Sequence, residues 1–457
     1  MSEYQIVNPY TGQTERVFDL SSQAEIKAAL NYAQDFYQIN REIPFEKRAD
    51  ILRNIAAEIL ANQKELAKSI TENMGKLYQE SLQEVAATAR IAEYYANNGP
   101  KILEPRPYTY QQNKRPAVLK QQALGTILAI EPWNFPFTQV MRVFAPNFLL
   151  GNAVILKPAP IVAGCSFALE RAITQADGYL SGGFKCLLLS NQQVADLIKQ
   201  QAFQGVALTG SIKAGSEVAA IAGKAIVKTT LELGGNDPFI VLPGADIRQA
   251  AKDAAVSRLR NSGQVCTSAK RYIVHREIAA EFIEQLMAEF SAKKIGDPFD
   301  QKTTLAPLAS AKVVARLQNQ LDTAIAHGAK VLLAGGKAAK EKGNFFTPVL
   351  LTNILPTNPM YDQEFFGPVG QIKIVENQKE AIKEANNSKY GLASAIYAPK
   401  EEASVIADQL ESGQVFINQP SNGYPEIPFG GVKKSGYGRE MSDLALFEFA
   451  NQKIIAY

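Results

Sequence analysis

The stretch Gly125-Thr-Ile-Leu-Ala-Ile, residues 125–130, decides the fold, because its run of aliphatic and β-branched side chains is typical of a buried strand. Three similar runs follow at residues 153–156, 205–208 and 239–242. Helix-like stretches separate them at residues 167–176, 191–200 and 213–221. Strands that alternate with helices indicate a parallel sheet covered on both faces, the doubly wound α/β architecture in which ligands bind at the carboxyl ends of strands.

A second alternating region, from about Asp246 to Phe416, predicts a second doubly wound α/β domain. Its strand-like runs lie at residues 271–275 and 330–333, and its helix-like stretches at residues 250–260, 277–292 and 311–327. The turn-rich Leu233-Gly-Gly-Asn-Asp-Pro predicts the boundary between the two domains. A strand-like run at residues 453–457 needs a pairing partner, either in a second subunit or on the same chain.

Composition and charge exclude several classes of protein. The 457 residues are 46% hydrophobic, enough for a large core in two or three domains. The 48 basic and 45 acidic residues leave a net charge of +3, so no overall field favours nucleic acid or an anionic membrane. We read no secretory signal and no apolar run of the roughly 18 residues that a spanning helix needs, and we expect a cytoplasmic protein. Three cysteines and two histidines indicate a reducing compartment and predict no metal site.

Cys266, in Asn261-Ser-Gly-Gln-Val-Cys-Thr, is the first candidate for chemistry. Its small and polar neighbours predict a turn in which the backbone approaches a ligand, and residues 267–270 are interpreted as helix or strand. Taken alone, this cysteine is better explained as a buried thiol that packs as a small hydrophobe. Cys165 and Cys186 lie in apolar text and are predicted to fill the core.

Glu232 and Asn134 are the other two candidates. Glu232 stands between two leucines before paired glycines, and partial desolvation there would raise its pKa toward the range of a general base. An exposed glutamate at a strand end explains the same text equally well. Asn134 follows the strand at 125–130, where a side-chain amide is well placed to donate to an oxyanion, although a simple turn before Pro136 is the alternative.

Seven ordered motifs give these residues a common context: Pro-Trp-Asn-Phe-Pro (132–136), Leu-Lys-Pro (156–158), Leu-Thr-Gly-Ser (208–211), Leu-Glu-Leu-Gly-Gly (231–235), Gly-Gln-Val-Cys (263–266), Glu-Phe-Phe-Gly-Pro-Val (364–369) and Pro-Phe-Gly-Gly-Val-Lys (428–433). The chain closely resembles the NAD(P)-dependent aldehyde dehydrogenase superfamily from about residue 8 to residue 440. Cys266 also lies 34 residues after Glu232, the family's usual separation.

The resemblance implies a role for each candidate. Cys266 would attack the aldehyde carbon as a thiolate and form a thiohemiacetal. The Asn134 side chain and the Cys266 backbone N–H would hold its oxyanion. After hydride transfer to the nicotinamide, Glu232 would activate the water that hydrolyses the thioester. With few histidines in the chain, Glu232 is also the best candidate for the base on chemical grounds.

The resemblance also implies a cofactor site, and its residues are Trp133, Lys157, Thr209, Gly210, Ser211, Gly215, Leu233, Glu364 and Phe366. Lys157 would bind the adenosine ribose or a 2′-phosphate, and the loop at 209–215 would bring a helix N-terminus to the pyrophosphate. Glu364 would hold the nicotinamide ribose, with Phe366 against the nicotinamide; for Trp133 a core-filling role is equally open. Pro160 stands where NAD-preferring relatives often have a glutamate that repels the 2′-phosphate. We therefore expect NADP as cofactor, with NAD also possible.

Arg142, eight residues after Asn134, is the residue that indicates the class of substrate. It matches an arginine that binds the distal carboxylate in succinate-semialdehyde dehydrogenases, the subgroup that the chain resembles most, and a bidentate arginine suits a carboxylate. A surface or ion-pairing arginine is the alternative. The subgroup's usual serine six residues before Phe429 is replaced by Gly423, with Ser421 and Asn422 as substitutes. Succinate semialdehyde is the leading substrate, and another small aliphatic aldehyde is the alternative.

The domain organisation follows from the same reasoning. We expect an NAD(P)-binding domain at 1–106 and 123–233, a catalytic domain at 234–433, and a small β oligomerisation element at 107–122 and 440–457 that joins subunits into a homo-dimer or homo-tetramer. The sequence has two alternative interpretations: a cysteine hydrolase that uses Cys266 with His275 or His327, and a non-catalytic member of the fold. The first gives no reason for the cofactor motifs, and the second would be expected to have lost the thiol or the glutamate.

Overall fold

Three large β-sheets organise the protein. The computed structural model describes residues 4–112, 114–338 and 342–457, so the first three residues of the predicted 1–106 segment lie outside the described residues. The strands, in chain order, are β1 (Tyr4–Val7), β2 (Thr14–Phe18), β3 (Arg106–Thr109), β4 (Pro116–Ala123), β5 (Thr126–Glu131), β6 (Ala153–Pro158), β7 (Phe184–Cys186), β8 (Gly205–Thr209), β9 (Lys228–Glu232), β10 (Pro238–Val241), β11 (Arg271–His275), β12 (Lys330–Leu333), β13 (Gly336–Lys337), β14 (Phe346–Thr347), β15 (Val349–Thr352), β16 (Val369–Val375), β17 (Tyr390–Gly391), β18 (Ala393–Tyr397), β19 (Gln414–Ile417), β20 (Val432–Lys433), β21 (Gly436–Tyr437) and β22 (Ala450–Ala456).

The helices cover the sheets and begin where the sequence supplies caps. Ser22 and Ser190 each form a capping box with the residue three positions later. The helices are α1 (Gln23–Asn40), α2 (Phe45–Ala61), α3 (Gln63–Met74), α4 (Tyr78–Ile102), α5 (Thr138–Leu150), α6 (Ala163–Ala176), α7 (Asn191–Lys199), α8 (Ile212–Lys224), α9 (Ile247–Leu259), α10 (Arg276–Ser291), α11 (Ala311–Ala326), α12 (Gln378–Asn386), α13 (Lys400–Ala407) and α14 (Ala445–Glu448).

The first sheet has the order β21-β9-β8-β5-β6-β7. All of its pairs are parallel except β21 with β9. From β5 the chain proceeds through β6 and β7 on one side and through β8 and β9 on the other, so the strand order reverses between β5 and β8. Ligands of doubly wound folds bind at such a reversal, outside the carboxyl ends of the strands. Asn134 and Ser211 follow those two strands.

The second sheet has the order β12-β15-β16-β11-β10-β18-β19, parallel except for β12 with β15. Its central strands β10 and β11 are buried on both faces, as their valine- and isoleucine-rich text requires. Cys266 lies shortly before β11, opposite the ligand-binding edge of the first sheet. The predicted α/β class with two parallel sheets is confirmed.

A third, antiparallel sheet joins β22, β4 and β3. Of the two possibilities that the sequence left open for the last strand, the structure has pairing on the same chain, with Lys453 opposite Lys120. The domain limits and the oligomerising role of this sheet remain predictions. Glu440, the first residue of the predicted oligomerisation element, lies instead beside Arg142 of α5.

Buried apolar side chains fill the space between helices and sheets, and Cys165 and Cys186 are buried among them, as predicted. Within the described ranges, none of the helices combines the length and apolarity needed to cross a lipid bilayer. In the same part of the chain, no three His, Cys, Asp or Glu side chains are grouped to hold a metal ion.

Candidate active site

A cavity of about 320 Å³ contains the candidate nucleophile. The half-buried Cys266 lines it together with Arg142 from α5 and Arg260 from the segment after α9. Phe135 and Phe429 supply apolar walls. The structure therefore brings Cys266 and Arg142 into one cavity although 124 residues separate them in the chain.

The turn before Cys266 is built from backbone that most residues avoid. Asn261, Ser262 and Gly263 are consecutive left-handed residues, with φ of 48°, 52° and 76°. A Cβ at Gly263 would lie 2.3 Å from the Gly367 carbonyl, so only glycine fits there. The predicted turn is present, and its strain fixes where the cysteine points.

Residues 267–270 were interpreted as helix or strand, and this prediction is wrong. They form turns and irregular backbone up to the start of β11. The Ser268 hydroxyl donates to the Val265 carbonyl at 2.9 Å and closes a turn around Cys266. The local side-chain bond competes with regular structure at this point.

The protonation of Cys266 reflects opposing influences. Burial raises the pKa of its thiol, Asp237 and Glu364 raise it as well because negative charge opposes the thiolate, and with all neighbouring charges included the pKa is about 11. Lys270 and Arg142 lower the same pKa. The thiol is therefore protonated at neutral pH and needs a base or a stronger positive field before it attacks a carbonyl.

Asn134 is joined to the nucleophile turn through hydrogen bonds. Its side chain is buried, and Nδ2 donates to the Gln264 carbonyl at 2.9 Å. Its own backbone carbonyl accepts from Lys76 Nζ at 2.8 Å and from Asn261 Nδ2 at 2.9 Å. These contacts hold the amide rigidly next to the residues that precede Cys266, and a role limited to a turn before Pro136 does not account for them.

Glu232 ends β9 and is only 3% exposed, so the alternative of an exposed strand-end glutamate is wrong. Burial, and then the neighbouring Glu440, raise the pKa of its carboxyl well above the ordinary value, whereas Arg142 and Arg439 lower it. A Cβ at Gly430 would lie 2.6 Å from Glu232 Oε1. Gly430, the first glycine of the motif at 428–433, therefore makes room for this carboxylate.

Glu131 and Glu440 complete a cluster of buried carboxyl groups that sequence reasoning missed. Burial raises the pKa of both, and the nearby Thr209 and Arg142 lower it. Glu440 Oε2 lies 3.6 Å from Arg142 Nη1. Glu131 and Thr209 come from adjacent strands, but no local signal in the sequence shows that Glu440 folds back onto them.

Arg260 was also missed. It is half-buried, its Nη1 donates to Asn422 Oδ1 at 3.2 Å, and its guanidinium lies 5.7 Å from the centre of the Phe135 ring. Burial lowers its pKa and the charge of Glu80 raises it. The only sequence signal was its place six residues before Cys266. The guanidinium groups of Arg142 and Arg260 therefore share the cavity with the thiol, and the exposed Arg90 also lines it.

Gly423 explains how Arg142 fits. A Cβ at this position would lie 2.6 Å from Arg142 Nη2, so a serine here would require the guanidinium to shift. Asn422, one of the two substitutes, lines the Cys266 cavity. Ser421, the other, lines an adjoining cavity of about 190 Å³. The Arg142 side chain also stacks on Phe429, with its guanidinium 4.4 Å from the ring centre.

The predicted cofactor loop packs against the end of β9. Thr209 is opposite Glu232 in the sheet, and the Gly210 N–H donates to the Glu232 carbonyl at 2.9 Å. Ser211 caps α8 by accepting from the Ala214 N–H. A Cβ at Gly215 would meet a Leu233 methyl at 2.7 Å, which is why glycine and leucine pack together there.

The remaining cofactor candidates are Trp133, Phe366, Glu364 and Lys157. Trp133 and Phe366 pack edge to face, with ring centres 5.6 Å apart. Glu364 Oε1 lies 3.3 Å from Lys270 Nζ and accepts from the Gly235 N–H at 3.4 Å. Lys157 lies farther off on β6, which β5 separates from β8, with its ammonium 5.9 Å from the Tyr4 ring centre.

Comparison with known proteins gives matches along nearly the whole chain. The model of the aldehyde dehydrogenase family matches residues 1–455. This chain belongs to that family. A succinate-semialdehyde dehydrogenase of Deinococcus radiodurans, with NADP(+) in its name, is 42% identical over 98% of this chain and 94% of its own. A succinate semialdehyde dehydrogenase of Escherichia coli, with NAD(P)+ in its name, is 40% identical over 97% and 96% of the two chains.

Solved structures of the family superpose along nearly the whole chain. The succinic semialdehyde dehydrogenase of Streptococcus pyogenes, crystallised with NADP+ as the cofactor, is 41% identical, covers 99% of each chain and gives a TM-score of 0.96. The family and the subgroup that the motifs indicated are confirmed.

Proposed function

We propose that this aldehyde dehydrogenase oxidises succinate semialdehyde to succinate, with NADP+ as the preferred cofactor and NAD+ as a second one. The observation that carries the proposal is the pair Arg142 and Arg260 in the Cys266 cavity. A guanidinium binds a carboxylate through two parallel N–H bonds, and two of them in a partly buried cavity suit an aldehyde whose far end is anionic. The identity of about 40% to succinate-semialdehyde dehydrogenases supports the same substrate.

Cys266 and Asn134 carry the first step. The Cys266 thiol first releases its proton to water, favoured by the positive charge of Arg142. Its sulfur then bonds to the aldehyde carbon, one of the two carbon–oxygen bonds of the carbonyl breaks, and the carbonyl oxygen becomes an oxyanion. An amide has two N–H donors, so the bond from Asn134 to the Gln264 carbonyl leaves the other for that oxyanion. The Cys266 backbone N–H is the second donor.

Glu232 carries the second step. Its burial makes its carboxylate a stronger base than an exposed one, and it takes a proton from the water that attacks the thioester. The thioester carbon then bonds to the water oxygen, the carbon–sulfur bond breaks, and the carboxylate product leaves. Arg142 and Arg439 stabilise the ionised form of Glu232 that this step requires.

The residues that follow the strands of the first sheet, together with Glu364 from the segment before β16, fit a nicotinamide dinucleotide. The first-turn N–H groups of the 13-residue α8 suit a pyrophosphate, and the Glu364 carboxylate is an acceptor for ribose hydroxyls. The bound cofactor supplies a hydride acceptor at the thiohemiacetal. Pro160 stands where a carboxylate would repel a 2′-phosphate, and Lys157 lies nearby to pair with one, which favours NADP+.

Assembly and location stay proposals as well. The sheet of β3, β4 and β22 would join subunits into a dimer or tetramer, and Ile454 on β22 is 55% exposed and free to pack on a second copy. A cytoplasmic location follows from the cysteine usage. Light scattering coupled to gel filtration measures the oligomeric state, and a monomer at all concentrations would contradict the proposed dimer or tetramer.

The test of the function is a panel of aldehydes of equal chain length with and without a terminal carboxylate, run with both cofactors. Reduced nicotinamide is followed by absorbance, and Cys266→Ser is the inactive control. We expect kcat/KM for succinate semialdehyde to exceed that for butanal by at least tenfold, and NADP+ to exceed NAD+. Equal rates for both aldehydes would refute the substrate, and a hundredfold preference for NAD+ would refute the cofactor. Hydrolysis without cofactor would instead support the cysteine hydrolase.

A further inference from the structure

A network of charged groups lies beside the nucleophile turn, and of its members only Glu364 has a role in the reaction above, as an acceptor for ribose hydroxyls. It consists of Lys270, Glu364 and Asp237, none of which is among the residues that line the Cys266 cavity. We propose that Lys270 is a positioning residue that raises the reactivity of the Cys266 thiol, and that the negative charges of Glu364 and Asp237 lower it.

Lys270 connects the network to the nucleophile. Its side chain is fully buried. Its ammonium donates to the Cys266 carbonyl, reaches the Ser268 carbonyl at 3.5 Å and pairs with Glu364 Oε1 at 3.3 Å. An ammonium has three N–H donors, and these three contacts use them in a fixed arrangement. The positive charge therefore stays next to the peptide unit of the reacting cysteine.

Gly235 and Asp237 pack against the segment from Cys266 to Lys270. A Cβ at Gly235 would lie 2.8 Å from the Cys266 carbonyl oxygen and 2.6 Å from Asp237 Oδ1, so the missing side chain lets the three groups approach each other. The Asp237 carbonyl accepts the backbone N–H groups of Lys270 at 3.1 Å and Arg271 at 3.2 Å. The backbone on both sides of Lys270 is thus tied to Asp237.

The signs of the charges follow from elementary electrostatics. Lys270 favours the thiolate because opposite charges attract, and burial strengthens the effect because water is excluded. Glu364 and Asp237 oppose it. From the cavity side Arg142 also favours the thiolate, and Arg260 faces it as well. Removing Lys270 leaves two carboxyl groups without their shared counter-charge.

The ionisation of Asp237 makes the net charge around the Cys266 thiol depend on pH. Burial, partly offset by Lys270, raises its pKa to about 7. Below that pH the group is neutral and Lys270 faces one carboxylate, Glu364. Above it a second negative charge forms and holds back ionisation of Cys266, so the thiol gains reactivity with pH less steeply than an isolated thiol does.

The test measures alkylation of Cys266 by iodoacetamide, from about pH 6 to pH 10, with neither aldehyde nor cofactor present. Lys270→Met keeps the apolar stem and removes the charge, and we expect about tenfold slower alkylation at pH 8.5, the effect of one pKa unit. Asp237→Asn and Glu364→Gln should each accelerate it severalfold. Lys270→Arg, which retains a positive charge, should restore most of the rate.

The control is Arg48→Met, which removes another buried cation, one that binds the Leu149 and Ile43 carbonyls away from the thiol. It should lower the melting temperature and leave the alkylation profile unchanged. A purely structural role would move the Lys270, Asp237 and Glu364 variants in the same direction, and that result would overturn the proposal. Asp237→Asn and Glu364→Gln keep it testable if Lys270→Met does not fold. Because alkylation needs no substrate, failure of the proposed function would leave this outcome unaffected.

Discussion

Replacing Arg142 with methionine tests the substrate assignment most directly. The change removes the guanidinium that lines the Cys266 cavity and keeps a side chain that still packs on Phe429. A hydrogen bond to a charged group contributes about 1.5–3 kcal/mol, and each 1.4 kcal/mol corresponds to a factor of ten. Since Arg260 remains in the cavity, we expect kcat/KM for succinate semialdehyde to fall by about 10- to 100-fold.

The assay compares two substrates that differ only at the far end. With butanal, which has no carboxylate, Arg142→Met should retain kcat/KM within a few-fold of the parent protein. Arg260→Met is the matched variant, and it should show the same selectivity for the carboxylate. In the double variant the two losses should not add fully, because both groups bind one anion.

Arg142 also neutralises Glu440, at 3.6 Å, so the substitution has a structural cost that must be separated from the catalytic one. Loss of this partner leaves a buried carboxyl group that takes up a proton, and the melting temperature should fall. Measuring unfolding alongside kinetics separates the effects. An equal loss of kcat/KM for both aldehydes would refute a carboxylate-binding role for Arg142.

Three other predictions concern the carboxyl cluster and the arginine. Glu232→Gln should retain a rapid first turnover of reduced nicotinamide but lose about 10²–10⁴-fold in steady-state rate, since hydrolysis of the thioester lacks its base; loss of the burst would assign Glu232 to the first step instead. Gly423→Ser should raise KM for succinate semialdehyde severalfold without changing that for butanal, because its Cβ would lie 2.6 Å from Arg142 Nη2; an unchanged KM would show that the guanidinium moves freely. Burial raises the pKa of Glu131 well above its ordinary value, so the unfolded chain releases this proton first and the group costs stability as pH rises. The melting temperature of Glu131→Gln relative to the parent should therefore increase from about pH 5 to pH 8, and a constant difference would contradict this sign.

The three residues given chemical roles illustrate what the sequence contains. Cys266, Asn134 and Glu232 lie in short motifs whose turns and strand ends form locally, so their neighbours in the text are also their neighbours in space. The strands at 125–130 and 205–208 were likewise predicted correctly, because an apolar run bounded by turn residues determines its own conformation.

The surroundings of these residues could not be predicted in the same way. Arg260 becomes a cavity residue only because the left-handed turn that follows it is folded against Gly367, a contact across 104 residues from Gly263. The meeting of Glu440 with Arg142 depends on how the last part of the chain returns to α5. The irregular backbone at 267–270 is held by bonds that override propensity, from the Ser268 hydroxyl to Val265, from the Ala269 N–H to the Ser257 hydroxyl and from the Lys270 N–H to the Asp237 carbonyl.

The segment at residues 436–440 packs back onto β9 and α5, and this has a consequence for biosynthesis. Gly436 pairs with Glu232, and Glu440 pairs with Arg142, so the enclosure around the carboxyl cluster closes only after the ribosome has translated residue 440. Until then the thiol of an already synthesised Cys266 lacks part of its enclosure and is open to oxidants. A reducing environment therefore protects the Cys266 thiol while residues 267–440 are being translated.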